Sequence, residues 1–356
     1  MIAAIPYHPH ARKSLCSARL SLLPRHCDSA KGIGLLRRNN GSISKSDHSH
    51  CLKLVETRDR EGFLCGLLLS SKFEIQKPYF AIRAFNIEVA SIANSIDPRK
   101  PSVAAHPAKL RLQWWREAVD AAYNGTDELH SIAASHPVIR SISSSNVMQR
   151  CTRRYFEKLL DAREWDIERT CLAAETAKHI GTVVPRFINV QELVNYAEDT
   201  MSSIIYLSLE CCGVWEEEEA YQVASHVGVA CGIVTALRST AHLLSTRGEI
   251  SIPSDILPKN ISTNVLRQED REALCHSANE LACVAHHHLH EARRLQHNAP
   301  KKGWACFLPA VSALSYLEEL QKCNFDVLHS DLHTTSASSS MKLPLLLGRA
   351  WLTGHF

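Results

Sequence analysis

Ala224-Ser-His-Val-Gly-Val-Ala-Cys-Gly-Ile-Val-Thr-Ala-Leu-Arg-Ser-Thr-Ala-His-Leu-Leu-Ser-Thr-Arg-Gly-Glu-Ile-Ser-Ile-Pro253 is the stretch on which the fold turns. It opens as an almost wholly apolar helix, passes Leu237-Arg238, and leaves through a polar turn at Arg247-Gly248. Small residues (Ala224, Gly228, Ala230, Gly232) line its first half, so another helix can approach closely. A helix that is apolar all round is a buried one. In a large helical fold it either packs the core or lines a cavity, and that choice decides the function.

Around this stretch, 356 residues are enough for one large or two medium domains. Forty basic against 37 acidic residues leave a charge of +3, too even to imply nucleic acid. The longest apolar runs are broken by Glu210 or Arg238, short of the ~18–20 residues a membrane span needs. A soluble or peripheral protein is expected. Thirteen cysteines without a C-x-x-C pair point to buried thiols in a reducing compartment; adjacent Cys211 and Cys212 are poor partners for each other. Residues 1–46 are rich in serine and basic residues, with Asp28 the only acid. That is the composition of an organellar transit peptide, expected to be disordered.

The folded part is expected from Cys51. Leu52, Val55, Phe63, Leu67 and Leu68 have helical spacing, interrupted by the charged turn Arg58 to Glu61. Pro78 is placed in the first turn of a helix over 79–96. Further helices are predicted over 110–123, 147–174 and 190–212, with a serine-rich break at 141–146 and a loop over 178–185. The acidic run 216–219 suits the first turn of the central helix. After a polar loop through Asn260 and Asn264 come helices over 269–296 and 306–321, then an apolar tail over 343–351, expected to dock on the domain rather than lie on a membrane. With strand signals nearly absent, the fold class is all-α.

Several clusters could carry chemistry. Glu157, Asp161, Glu164 and Glu168 share one helix face, and facing carboxylates are how helical bundles hold Mg²⁺. Arg153, Arg154, Lys158, Arg163 and Arg169 interleave with them, so intrahelical ion pairs on a solvated face explain the stripe as well. Cys283 has zinc-like spacing to His286 or His287, but no second pair is evident and a polar surface is expected. There is no Gly-x-Ser-x-Gly elbow and no phosphate-binding Gly-rich loop. Trp114-Trp115 is read as packing the core and its edge.

Three blocks resemble the squalene and phytoene synthases: Phe80-Ala-Ile-Arg-Ala-Phe-Asn86, residues Tyr155 to Asp166, and the opening stretch. The resemblance is closer to the mitochondrial complex I assembly factor 6 branch. It is carried by Arg58-Asp-Arg-Glu-Gly-Phe-Leu-Cys65, Arg83-Ala-Phe-Asn-Ile-Glu88, Arg111-Leu-Gln-Trp-Trp115, Tyr196-Ala-Glu-Asp-Thr200, Ala224-Ser-His-Val-Gly228 and Asn324-Phe-Asp-Val327. It implies a single large isoprenoid-synthase-like bundle around a central cavity, over residues 51–356, with an insertion near 171–187.

The active synthases hold diphosphate through Mg²⁺ ions bound by two Asp-rich motifs, since clustered metal ions offset the leaving group's charge. By the resemblance, the first motif's acidic positions fall here at Ala90, Ser91 and Asn94. In the second motif the metal-binding Asn falls at Thr235, the Asp at Ser239, and the next acid at His242 or Leu243. A pocket Gln falls at Gly232. Glu88 survives as an acid but has no acidic partner across the bundle. The resemblance therefore implies a kept fold, lost prenyl transfer, and no metal or cofactor.

The function it implies is non-catalytic: early assembly of the membrane arm of NADH:ubiquinone oxidoreductase. The location is the matrix side of the mitochondrial inner membrane, with peripheral membrane contact. The partners are complex I subunits or other assembly factors, and the small-residue lining around Gly228 and Gly232 leaves room for a cavity, with a bound lipid or prenyl chain, without chemistry, as an open hypothesis. Candidate pocket or partner-surface residues are Arg83, Asn86, Glu88, Gln113, Arg116, Tyr196, Asp199, Ser203, His226, Gly228, Gly232 and Arg238. The competing readings are an active prenyl-diphosphate transferase using the Glu157–Glu168 stripe, and a simple lipid-binding module.

Overall fold

The computed structural model describes residues 40–69, 73–97, 100–124, 136–145, 147–180, 182–215, 217–258, 261, 267–333 and 337–356. Residues 1–39, most of the expected transit peptide, lie outside the described residues, as do Glu216, Asn260 and Asn264. Helix α1 (Asn40–Arg58) starts ahead of the predicted Cys51. Asp47 explains why: it is buried, and Arg140 grips its carboxylate through Nε and Nη2 at 2.8–3.1 Å. Helices α2 (Arg60–Leu69) and α3 (Phe73–Asn94) follow. Pro78 lies inside α3 rather than in its first turn, near enough to the start to remove a ladder bond without ending the helix.

Helix α4 (Pro101–Asn124) begins on a proline, ahead of the predicted start at residue 110. The serine-rich break is largely helical too, as α5 (Pro137–Ser144). His136 caps it by accepting from the Val138 N–H, and the Ser144 and Ser145 hydroxyls donate back to the Ser141 carbonyl instead of disrupting it. One predicted helix is split into α6 (Val147–Arg150) and α7 (Arg153–Ile180). At the split the Glu210 carboxylate accepts both the N–H and the hydroxyl of Thr152, at 2.8 and 2.5 Å. Helix α7 runs past Lys178, where a loop was expected.

A two-residue strand β1 (Val184–Pro185) pairs in parallel with β2 (Glu249–Ile250). Helix α8 (Val190–Ala197), a π-helical turn (Glu198–Ser202) and α9 (Ser203–Cys211) fill the predicted helix 190–212. Helix α10 (Glu218–Arg247) is the opening stretch; Glu218 and Glu219 sit in its first turn, and Gly248 ends it at φ 66°. It packs against α8, the π turn, α11 (Gln268–Leu295) and α12 (Pro309–Lys322), which follows a 3-10 turn (Lys301–Phe307). The last helix, α13 (Ala337–Thr353), rests on α12 and α2.

By length and composition α10 could cross a membrane, a point the sequence reading missed by stopping at Arg238. Over half of its most apolar window is buried inside the bundle, so its apolar surface is taken up by helix packing. The Trp pair packs as expected: Trp115 is buried between Phe85 and Trp114, edge-on to both at 5.3 and 5.0 Å.

Candidate functional site

Helices α3 and α10 wall two adjoining cavities. The first, about 590 Å³, lies among α2, α3, α10 and the start of α12. The second, about 460 Å³, lies among α3, α7, α8, α10 and β2. They meet at Ala90, Asn94 and Thr235, and Ser91, Ser239, His242 and Leu243 also line them. The positions that the resemblance matches to the synthases' metal ligands thus lie on the walls of these two adjoining cavities. Their hydroxyls are turned to the protein: Thr235 donates to the Cys231 carbonyl at 2.8 Å, and Ser239 meets Ser251 at 3.0 Å.

The wall charges decide what these cavities favour. Arg58, Arg60, Arg83 and Arg238 line the first and Arg163, Arg186 and Arg247 the second, against Asp59, Glu61 and Asp166. Each of these carboxylates is held by a guanidinium. Asp59 lies 3.2 Å from Arg83, Glu61 lies 2.6 Å from Arg238, and Asp166 lies 2.8 and 2.9 Å from Arg163 and Arg186. Carboxylates matched this way have no spare charge for Mg²⁺, and the surplus of arginine favours an anion. Burial pushes Cys65 and Cys231, also on the first wall, up to about 12, so both stand as neutral thiols.

The second cavity owes its polar wall to the small parallel pair. The Arg186 N–H donates to the Ile250 carbonyl at 2.8 Å, which sets the Arg186 guanidinium between Asp166 and Glu249. Tyr196 completes the cluster, accepting from Arg163 at 2.7 Å and donating to Asp166 at 2.9 Å. Asp166, Arg163 and Arg186 were missed as site residues, because nothing in the local pattern shows which helix or strand each will face. Asp59 and Glu61 were read only as a charged turn.

Of the sequence candidates, Arg83, Asn86 and Arg238 line the first cavity, and Tyr196 and Gly232 the second. Arg83 is buried beside the Gly62 backbone and under Tyr79, whose hydroxyl donates to the Gly62 carbonyl. Gly228 does not line either cavity: a Cβ there would meet Ser202 at 2.2 Å, so the space beside it is filled. Glu88, Gln113, Arg116, Asp199, Ser203 and His226 also lie off both walls. Gln113 bonds Glu117, and Asp199 pairs with Lys158 at 2.8 Å.

The acidic stripe on α7 lies on a solvated face, as the sequence reading had it, but most of its ion-pair partners come from α4 rather than from α7 itself. Arg116 of α4 holds Asp161 and Glu164 at 2.7 and 2.8 Å, and Lys109 holds Glu168; only Glu157 pairs within α7, with Arg153. His226 instead meets His288 of α11, Nδ1 to Nδ1 at 3.0 Å. One ring must donate and the other accept, so protonating both breaks the contact.

Burial, then neighbouring His226, lowers His288 to about 4, and burial lowers His226. Glu198, Glu291, His287 and Arg294 are the other charged or titratable groups bearing on the pair. A histidine depressed on folding takes up its proton more readily when unfolded, so stability is full above pH 6.5 and falls toward pH 4. The urea midpoint is expected to drop over that window, and His288→Asn to flatten the drop. An unchanged slope in His288→Asn would remove the pair from the acid response.

The profile of the squalene/phytoene synthase family matches residues 55–338. A Bos taurus protein named NADH dehydrogenase (ubiquinone) complex I, assembly factor 6, is 33% identical over 285 residues, 80% of this chain and 76% of that one. Its Homo sapiens namesake is 32% identical over 304 residues, 85% and 80% of the two chains. Among solved structures, a dehydrosqualene synthase has a TM-score of 0.62 at 14% identity, covering 88% of this chain and 99% of that one. A squalene synthase from Alicyclobacillus acidocaldarius has a TM-score of 0.57 at 13% identity, covering 80% and 97%. At such identities the structures speak for the fold alone, and they place it among the all-α isoprenoid synthases.

Proposed function

The chain belongs to the squalene/phytoene synthase family, and from that premise we propose that it is a non-catalytic member assisting assembly of mitochondrial respiratory complex I. The role comes from the names of its curated relatives. The observation that carries the loss of catalysis is the cavity wall, where Ala90, Asn94, Thr235 and Ser239 meet without a carboxylate and Asp59, Glu61 and Asp166 are each held by arginine. The cavity then serves to bind, and its arginine-rich, partly apolar lining suits an anionic lipid or prenyl chain.

The protein works at the matrix face of the inner membrane, on an early membrane-arm intermediate. Helix α13 supports that placement. It docks through Leu347 and Ala350, yet Met341, Leu345 and Leu352 form an outward stripe at i, i+4 and i+11 that is 69–77% exposed. Half-exposed Trp351 and exposed Arg349 flank the stripe, and residues 337–356 contain no acid. An apolar face bordered by Trp and Arg suits an anionic membrane surface.

The test is complementation of knockout mitochondria. Loss of the protein is expected to deplete complex I on blue-native gels, and the wild type to restore it. Leu345→Glu/Leu352→Glu is expected to shift the protein from the salt-washable membrane fraction to the matrix and to restore less complex I. Purified protein is expected to release no diphosphate from geranylgeranyl diphosphate with Mg²⁺. Unchanged complex I in the knockout, or turnover lost in Asp161→Ala, would overturn the reading.

A further inference from the structure

Two pairs of cysteines face each other around the end of α9. Cys151 Sγ lies 3.8 Å from Cys211 Sγ, and Cys212 Sγ lies 3.7 Å from Cys306 Sγ. Neighbours in sequence, Cys211 and Cys212 each have a different partner from far along the chain. All four are free thiols.

The two pairs differ in what can reach them. Cys151 and Cys211 are both buried. Cys212 is only partly buried, at the C-cap of α9, while Cys306 behind it is 4% exposed. Lys302 brings a cation to the same spot, its Nζ donating at 2.6 Å to the carbonyl of Gly213, the residue after Cys212. Cys306 sits in the 3-10 turn Lys301–Phe307, whose hydrogen bonds are poorer than those of an α-helix and yield to small shifts.

We propose that Cys212 and Cys306 are a peroxide-oxidisable dithiol, with Cys212 attacking the oxidant and Cys306 closing the disulfide. The Cys212 thiolate attacks one oxygen of a hydroperoxide; the O–O bond breaks, the departing oxygen takes a proton and leaves as alcohol or water, and Cys212 becomes a sulfenic acid. The Cys306 sulfur then attacks the Cys212 sulfur. The S–O bond breaks, hydroxide leaves with the Cys306 proton as water, and the S–S bond forms. Two thiols lose two electrons, and the peroxide gains them.

The geometry meets what each step needs. The thiolate is the nucleophile. A hydrogen bond from Cys306 and the charge of Lys302 hold Cys212 below the usual thiol range against burial, while burial and that same bond hold Cys306 above it. Closing the bond takes the sulfurs from 3.7 Å to about 2 Å, a movement the 3-10 turn can supply. Once closed, the bridge links positions 94 residues apart and pins the turn that leads into Pro309 and Ala313 of the first cavity wall.

The experiment treats the reduced full-length protein with hydrogen peroxide and maps its peptides without reductant. The expected first disulfide joins Cys212 to Cys306 and disappears with dithiothreitol. In Cys306→Ser, a sulfenic-acid probe such as dimedone is expected to label Cys212 several-fold more than in the wild type. Cys151→Ser and exposed-site Cys283→Ser are expected to leave the bridge intact. A first disulfide joining Cys151 to Cys211 or Cys211 to Cys212, or a map in which Cys212 and Cys306 stay reduced, would overturn the assignment. The wild-type map decides it even if a variant misfolds.

Discussion

Asp166→Ala is expected to lower the unfolding free energy by ~3–5 kcal/mol, a large share of the roughly 5–15 kcal/mol typical of a folded protein. Asp166 is 5% exposed and accepts from Arg163, Arg186 and Tyr196. Removing it leaves two guanidiniums, each 12% exposed, beside an empty site. Arg186 keeps Glu249 at 3.1 Å, but burial raises the pKa of that carboxyl and weakens its hold as a counter-charge. Among the described residues, Arg163 keeps Tyr196, through its hydroxyl and its ring face, but no carboxylate. Urea denaturation of Asp166→Ala against wild type measures the loss. Asp166→Leu combined with Arg163→Met, Arg186→Met and Glu249→Met is expected to recover most of it, because an apolar replacement then removes the buried charges together, including the Glu249 carboxylate that loss of Arg186 would leave unpaired. A loss under ~1 kcal/mol in Asp166→Ala would mean that the cluster is solvated and pairs only loosely.

That cluster also marks where sequence reading stops. The ends of helix α10 were legible, Glu218 and Glu219 marking its start and Gly248 its end, although its apolar length was underestimated at Arg238. The positions matched to the synthases' metal ligands came from the family resemblance, not from the residues themselves, and lie along α3 and α10 on the walls of the two cavities. Pairing between elements has no local signal. The α7 stripe alternates charge as an intrahelical ladder would, yet Arg116 and Lys109 reach it from α4. Strands β1 and β2, two residues each, leave no periodic trace, although they set Arg186 between its two acids. The cysteines fail for the same reason, since adjacency of Cys211 and Cys212 says nothing of Cys151 and Cys306.

Gly228 was read both as a close-approach position for another helix and as a cavity residue, and only the first reading holds. Small residues signal that something approaches closely, but not whether it is a ligand or a backbone. Here it is the π turn: a Cβ on Gly228 would lie 2.2 Å from the Ser202 hydroxyl oxygen, 2.4 Å from its Cα and 2.5 Å from its backbone nitrogen. Ser202 also donates to the Ser225 carbonyl across this contact, at 3.2 Å. Gly228→Ala must therefore push the π turn off α10, and overpacking of this kind costs about 1–3 kcal/mol. With backbone atoms in the way the upper end is expected, and Gly228→Val is expected to exceed it. Gly348→Ala is the control. Among the described residues, nothing beyond its chain neighbours and its own helix backbone lies within 4 Å of the added methyl, so a gain of up to ~1 kcal/mol in helix propensity is expected there. Adding Ser202→Gly to Gly228→Ala separates the causes, since it removes the hydroxyl but neither the Cα nor the nitrogen. The double variant is expected to stay destabilised. Full recovery would make the contact a matter of one movable side chain, and α10 would then tolerate a methyl where the close approach of two backbones forbids one.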